Sequence, residues 1–170
     1  SPEVRITGHS SRDQYDTYMI FDDPEQGRLR YREDNVLARD GSVRPIYTLT
    51  LLGPAREAEY ENSVVLSRSR FAAPADRSLR FYREYFQPRR EREIIKHRER
   101  YRIRFKGVDF AVNLDRIRQP ARPELYVEIK SRTWSRQDAE RKAALIGELL
   151  RALKVPDEAL IRSEYVDLAG

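Results

Sequence analysis

A period of two runs through much of this chain. Between Lys96 and Arg104 every second residue is a cation, and His97, Glu99, Tyr101 and Ile103 stand between them. Successive side chains of a strand point to opposite faces, so a strand here gathers five cations on one side. GRLRYRED has the same grammar, with Arg28, Arg30 and Arg32 alternating with Leu29 and Tyr31. In ELYVEIKSR, Glu124, Tyr126, Glu128, Lys130 and Arg132 oppose Leu125, Val127 and Ile129. Several strands therefore carry charge of both signs on one face and apolar bulk on the other. Two architectures satisfy that pattern: a barrel or strongly curved sheet with a charged interior, or an antiparallel sheet with one solvated face.

The remaining elements follow from the same reading. QYDTYMIFDD predicts a strand ended by the turn DPEQG, and GRLRYRED returns from it as a hairpin partner. PIYTLTLLGP predicts a strand halted at Gly53-Pro54, and EAEYENSVVLSRSRF another. Pro74 and Asp76 open a short helix to about Phe86, with Leu79, Tyr82 and Phe86 at helical spacing. The cation-rich strand turns at Lys106-Gly107 into VDFAVNLDRI. Ser135 and Asp138 form a capping box for a helix to about Lys154, whose stripe of Leu145, Ile146, Leu149, Leu150 and Leu153 faces a core. Trp134 packs at the start of that helix. The sum is an α+β fold with six to eight antiparallel strands and helices outside, in a single domain spanning 1–170.

Composition narrows the chemistry. The 170 residues include 33 basic and 28 acidic side chains, for a net charge of +5, and no cysteine. That excludes disulfides, thiolate zinc sites and a cysteine nucleophile, and it suits an anionic partner. There is neither a signal peptide nor an apolar run of membrane-spanning length, so a cytoplasmic protein without membrane contact is expected. The Ser-Pro start reads as the edge of a domain excised from a longer protein. His9 and His97 lack metal-ligand spacing and read as isolated, and no Ser-His-Asp set is expected.

The motifs YDTYMIFDDPEQGRLRYRED, YTLTLLGP, REAEYE, KHRERY, VNLD, YVEIKSR and SEYVDL occur in an order that resembles CYTH domains. These are the triphosphate tunnel metalloenzymes, among them class IV adenylyl cyclases and thiamine-triphosphatases. The resemblance implies an eight-stranded antiparallel barrel whose tunnel binds a triphosphate-bearing small molecule, with Mg²⁺ or Mn²⁺ held by acids. Carried onto this sequence, it implies substrate binding by Arg30, Arg32, Lys96, Arg98, Arg100 and Lys130. It implies metal binding by Glu59, Glu61 and Glu128, and catalytic roles for Glu128 and Asp115. Arginine forks and lysine point charges suit phosphate oxygens, and hard divalent ions prefer carboxylates.

The departures matter too. Of the family's first-strand E-x-E-x-K only Glu3 remains, with Arg5 substituted for its lysine, Leu52 replaces a lysine, and Lys130 stands where a second acid is expected. Those losses weaken metal binding while preserving phosphate attraction, so a non-catalytic nucleotide or polyphosphate sensor is the alternative to a weak triphosphatase or cyclase-like enzyme. The short lead-in also resembles CYTH domains fused to P-loop kinases. A rival with far fewer residues behind it is a metal-dependent nuclease of the D…E-x-K type, using Asp109 or Asp115 with Glu128 and Lys130. Nucleic acid is otherwise not an expected partner.

Overall fold

The computed structural model describes residues 3–53, 58–59, 65–66, 69–161 and 165–168. Seven antiparallel strands form one sheet: β1 (Val4–Ile20), β2 (Arg28–Leu37), β3 (Val43–Leu52), β6 (Ser69–Pro74), β7 (Arg90–Phe105), β8 (Val108–Gln119) and β9 (Leu125–Lys130). Their spatial order is β6-β3-β2-β1-β7-β8-β9. Two short strands, β4 (Ala58–Glu59) and β5 (Val65–Leu66), pair separately. The helices are α1 (Leu79–Phe86), α2 (Arg136–Ala152) and α3 (Tyr165–Leu168).

The expected closed eight-stranded barrel is thus corrected, among the described residues, to an open seven-stranded sheet. Its central pair is long, with 17 residues in β1 and 16 in β7. Its two edge strands have six residues each. β6 ends at Pro74, which has no N–H to offer a further ladder. Irregularities lie between Ile6 and Gly8 of β1 and between Ile95 and Lys96 of β7. Such shifts bend strands and increase local twist.

The predicted hairpin is present. Asp23 caps a 3-10 turn over Pro24–Gln26, and Gly27 follows at φ 78°, where an added Cβ would lie 2.1 Å from the Leu52 carbonyl oxygen. Glycine is required there on both counts. The first helix starts later than the sequence suggests. Pro74 belongs to β6, and Ser78 caps α1 by accepting the Phe81 N–H. The capping box of α2 forms as expected, with Ser135 accepting the Asp138 N–H. Trp134 does not pack; it is 83% exposed.

Each face of the sheet has its own cover. On the outer face, Tyr82 of α1 packs on Met19, Leu29 and Leu49. Farther along that face, Ile146 and Leu149 of α2 pack on Ile103, Phe105, Phe110 and Val112. Leu149 and Met19 are fully buried. On the inner face, α3 seats Val166 against Tyr18, Ile94 and Ile117, with Leu52, Tyr126 and Tyr165 around them. Arg92 donates to the Val166 carbonyl at 2.8 Å, and Arg28 bridges Asp167 at 3.1 Å. Both contacts tie α3 across the end of the inner face. No helix among the described residues is long and apolar enough to cross a membrane.

Candidate anion-binding face

Register decides which charges meet. In the β1–β7 ladder, Gln14 lies opposite Lys96, Arg12 opposite Arg98 and Asp16 opposite Ile94. In the β1–β2 ladder, Asp16 pairs with Arg32, Tyr18 with Arg30 and Gln14 with Asp34. The β7–β8 ladder sets Arg98 against Asp115 and Arg100 against Asn113, and β9 adds Glu128 opposite Asn113. Opposed residues share a face. One band of charge therefore crosses the inner face beside the apolar end held by α3.

This band is buried to an unusual degree for its chemistry. Lys96 is 1% exposed, Arg98 2%, Asp16 2% and Asp115 0%. Buried charges persist only when paired. Arg32 holds Asp16 with two hydrogen bonds, 2.6 and 2.7 Å. Arg98 holds Asp115 in the same forked way at 2.7 and 2.6 Å, and reaches Glu128 at 3.2 Å. Arg12 donates to Asp34 at 2.7 Å, and Lys130 lies 3.2 Å from Glu128.

Each of those four carboxylates has its own cation, and positive charge is left over. Lys96 only shares Asp16, with Nζ 3.6 Å from Oδ2 and 4.5 Å from the Tyr165 ring. Arg100 donates to the neutral amide oxygen of Asn113 at 2.9 Å. Arg30 meets the Tyr18 hydroxyl, and its buried Nε has no partner. The other buried polar side-chain atoms without partners among the described residues are Nε2 and Oε1 of Gln14 and Oδ1 of Asp34. Those two residues also belong to this band.

The electrostatics agree with a positive surplus. Burial, then Arg32, pushes the Lys96 ammonium down to about 7, against the partial compensation of Asp16. Burial and the neighbouring Arg98 and Arg12 lower Arg100. Burial alone would raise Asp16, but Arg32, with help from Lys96 and Arg30, holds it well below the carboxylate range. Glu128 is held at about 2, because Lys130, Arg98, Lys96 and the Asn113 amide outweigh its burial. Burial, Asp115 and Glu128 raise the Tyr165 phenol, so it remains neutral.

The sequence-predicted residues divide accordingly. Arg30, Arg32, Lys96, Arg98, Arg100, Asp115 and Glu128 come together. Lys130 joins them through Glu128 but is mostly open, with its side chain 58% exposed. Of the five alternating cations, Arg102 and Arg104 leave the site: both are exposed, and Arg104 binds Asp109. That pairing also takes Asp109 away from Glu128 and Lys130. Leu52 packs with the apolar end. The Glu59 side chain and Glu61 lie outside the described residues.

Arg12, Gln14, Asp16, Asp34, Asn113 and Tyr165 also belong to the site, although none was a candidate site residue: Asp16, Asp34, Asn113 and Tyr165 fall within the CYTH-like motifs, and Arg12 and Gln14 outside them. The alternation Gln14, Asp16, Tyr18 within QYDTY was the available signal. The histidines are also corrected: His9 and His97 share one hydrogen-bonded network on the outer face, with Ser11, Asp13 and Glu99.

A divalent metal was expected from the resemblance. Among the described residues, no three histidine, cysteine or acidic groups converge to hold one. Both Asp115 oxygens accept from Arg98, and Glu128 Oε1 is shared by Arg98, Asn113 and Lys130. A cation at these acids would meet two positive charges. The described donors do not fit Mg²⁺ or Mn²⁺.

No known family and no curated protein matches the chain in sequence. In structure it is similar to the PH1819 protein from Pyrococcus horikoshii OT3, with a TM-score of 0.68 and 16% identity. The match covers 98% of this chain and 87% of that one. A likeness at this identity shows that the fold is shared.

Proposed function

We propose that the inner face binds a polyphosphate anion, either inorganic tripolyphosphate or the phosphate chain of a nucleoside triphosphate. The observation that carries this reading is the unmatched positive charge of Lys96, Arg30 and Arg100 within an enclosed band. Phosphate oxygens would satisfy the Arg30 Nε and give Lys96 the negative partner that Asp16 supplies only at 3.6 Å. The order of the CYTH-like motifs supports the same ligand class.

Of the two roles such a site can have, binding or sensing is favoured over hydrolysis. Asp115 and Glu128 are already neutralised by Arg98 and Lys130. Both Asp115 oxygens accept from Arg98 and Glu128 Oε1 is shared by Arg98, Asn113 and Lys130, so these oxygens are already engaged by protein cations. The nuclease reading loses its acid pair for the same reason.

Calorimetry with tripolyphosphate, ATP, AMP and a short DNA duplex tests the proposal. Tripolyphosphate and ATP should bind more tightly than AMP, and added salt should weaken both. Equal affinity for AMP and ATP, or binding to duplex DNA alone, refutes it.

A further inference from the structure

The outer face between the patches covered by α1 and α2 carries both histidines of the chain in a single network. Asp13 lies opposite His97 and Ser11 opposite Glu99 across the β1–β7 pair. His97 Nδ1 is 2.8 Å from Asp13 Oδ1, and its Nε2 is 2.8 Å from Glu99 Oε1. Ser11 Oγ donates to the same Oε1 and lies 3.4 Å from His97 Nε2. His9 Nε2 is 2.6 Å from Glu99 Oε2, and its ring stacks on Tyr101 at 4.7 Å. Around these, Arg118 approaches Asp13 at 3.4 Å, Arg116 is opposite His97 on β8, and Asn35 is opposite Asp13 on β2 beside Glu33.

We propose that this network is a proton-operated clasp between β1 and β7, closed while His97 carries both ring protons and loosened when it loses one. A doubly protonated ring donates to Asp13 across the strand pair, as a charged pair, and at the same time to Glu99 two residues along its own strand. A neutral ring can donate to only one. With the remaining proton on Nδ1, the Ser11 hydroxyl is placed to turn from Glu99 to the bare Nε2. Loss of one proton then turns the charged Asp13–His97 pair across the strands into a weaker neutral-donor hydrogen bond and leaves His9 as the remaining one of these donors on Glu99.

The clasp lies directly behind the charged band, because Lys96 and Arg98 flank His97 while Arg12 and Gln14 flank Asp13. It does not depend on what the inner face binds. No three of these groups converge to hold a metal, so the connection is through protons.

The direction of the titration follows. Burial opposes the charged ring, but the hydrogen bonds to Asp13 and Glu99 outweigh it and raise His97 above 6.5. Burial likewise opposes the Glu99 charge, but Ser11, His97 and His9 hold that carboxyl below 4.5. The His97 contribution is complete below pH 6.5 and disappears as pH rises through its folded value. The Glu99 contribution is present above pH 4.5 and disappears as pH falls through its folded value. The clasp is therefore fully closed between about pH 4.5 and 6.5.

Titrating the imidazole signals of the unmodified protein by NMR gives the first test, with Asp13→Asn and Glu99→Gln alongside it. His97 should titrate above 6.5 and fall in each variant. A value at or below 6.5 in the unmodified protein, or one that neither substitution moves, overturns the proposal. Urea unfolding between pH 6 and 9 gives the second. The folding equilibrium constant of the unmodified protein should fall more than that of His97→Gln, by about tenfold for each unit of elevation. Parallel curves overturn the clasp.

Discussion

Replacing Lys96 by methionine removes a buried charge that Asp16 compensates only in part. The ammonium is 1% exposed, its closest carboxylate oxygen is 3.6 Å away, and that carboxylate already belongs to Arg32. A fall from 10.5 to about 7, at about 1.4 kcal/mol per unit, corresponds to about 5 kcal/mol between the charged and neutral forms. Between pH 7 and 10.5 the unfolded chain binds a proton that the native protein lacks. Native stability should therefore climb with pH across that window. Urea unfolding at intervals from pH 6 to 10.5, run on the native protein and on Lys96→Met, gives the difference curve in which other titrating groups cancel. The native protein should gain several kcal/mol relative to the variant, approaching 5. Lys96→Met should be the more stable protein at pH 6, since a methionine stem fills the site without a charge. The same measurement bears on the ligand. A bound polyphosphate returns the negative charge Lys96 lacks, so at pH 8 tripolyphosphate binding should take up close to one proton. Titration heats in buffers of different ionisation enthalpy report that number directly. A flat difference curve would refute the buried-charge argument, and binding without proton uptake would remove Lys96 from the ligand site.

The other expectations follow from the same pairings. Arg98→Met strands the buried Asp115 without its partner, removes a second cation from Glu128, and should cost about 3–5 kcal/mol in urea unfolding. Arg100→Ala should cost under about 1 kcal/mol in stability, because its partner is a neutral amide, yet weaken tripolyphosphate by about tenfold in calorimetry. Leu149→Ala, at a fully buried position on the sheet-facing side of α2, should cost about 2–5 kcal/mol, whereas Trp134→Ala at an exposed one should leave unfolding within about 0.5 kcal/mol.

Much of the fold was readable because its strands alternate so strictly. The opposition of Leu29 and Tyr31 to Arg28, Arg30 and Arg32 placed β2 and both of its faces, and the same holds for Leu125, Val127 and Ile129 on β9. Register was not readable. Nothing local indicates that Asp16 meets Arg32 or that Asp115 meets Arg98, since those pairs depend on how far each strand slides past its neighbour. Hence Arg98 was legible as a cation but not as one already committed to a carboxylate. Closure was illegible for a related reason, because alternation describes the faces of a strand and says nothing of its edges. The histidines show the same limit. His9 and His97 are 88 residues apart in sequence and meet only through the β1–β7 ladder.

The charged band also explains why the three apolar clusters lie where they do. A sheet with ionised groups at 0–2% exposure on its inner face gains little net stability from that face, because desolvation offsets most of each ion pair. The stabilising burial must come from elsewhere. It comes from the outer face, where Met19 is fully enclosed beneath α1 and Leu149 of α2 is fully enclosed against the sheet, and from Val166, which closes the end of the inner face. β1 and β7 run through both environments. Met19 lies under α1 while Asp16 and Tyr18 face inward, and Ile103 and Phe105 lie under α2 while Lys96 and Arg98 face inward. The long central strands thus anchor the charged band from either end by apolar contacts made on the opposite face. That arrangement lets Arg30, Arg100 and Lys96 remain unmatched without unravelling the sheet that presents them. An anion bound among them would add stability rather than merely occupy a ready-made site, so saturating tripolyphosphate should raise the unfolding midpoint, and raise it less in Arg100→Ala.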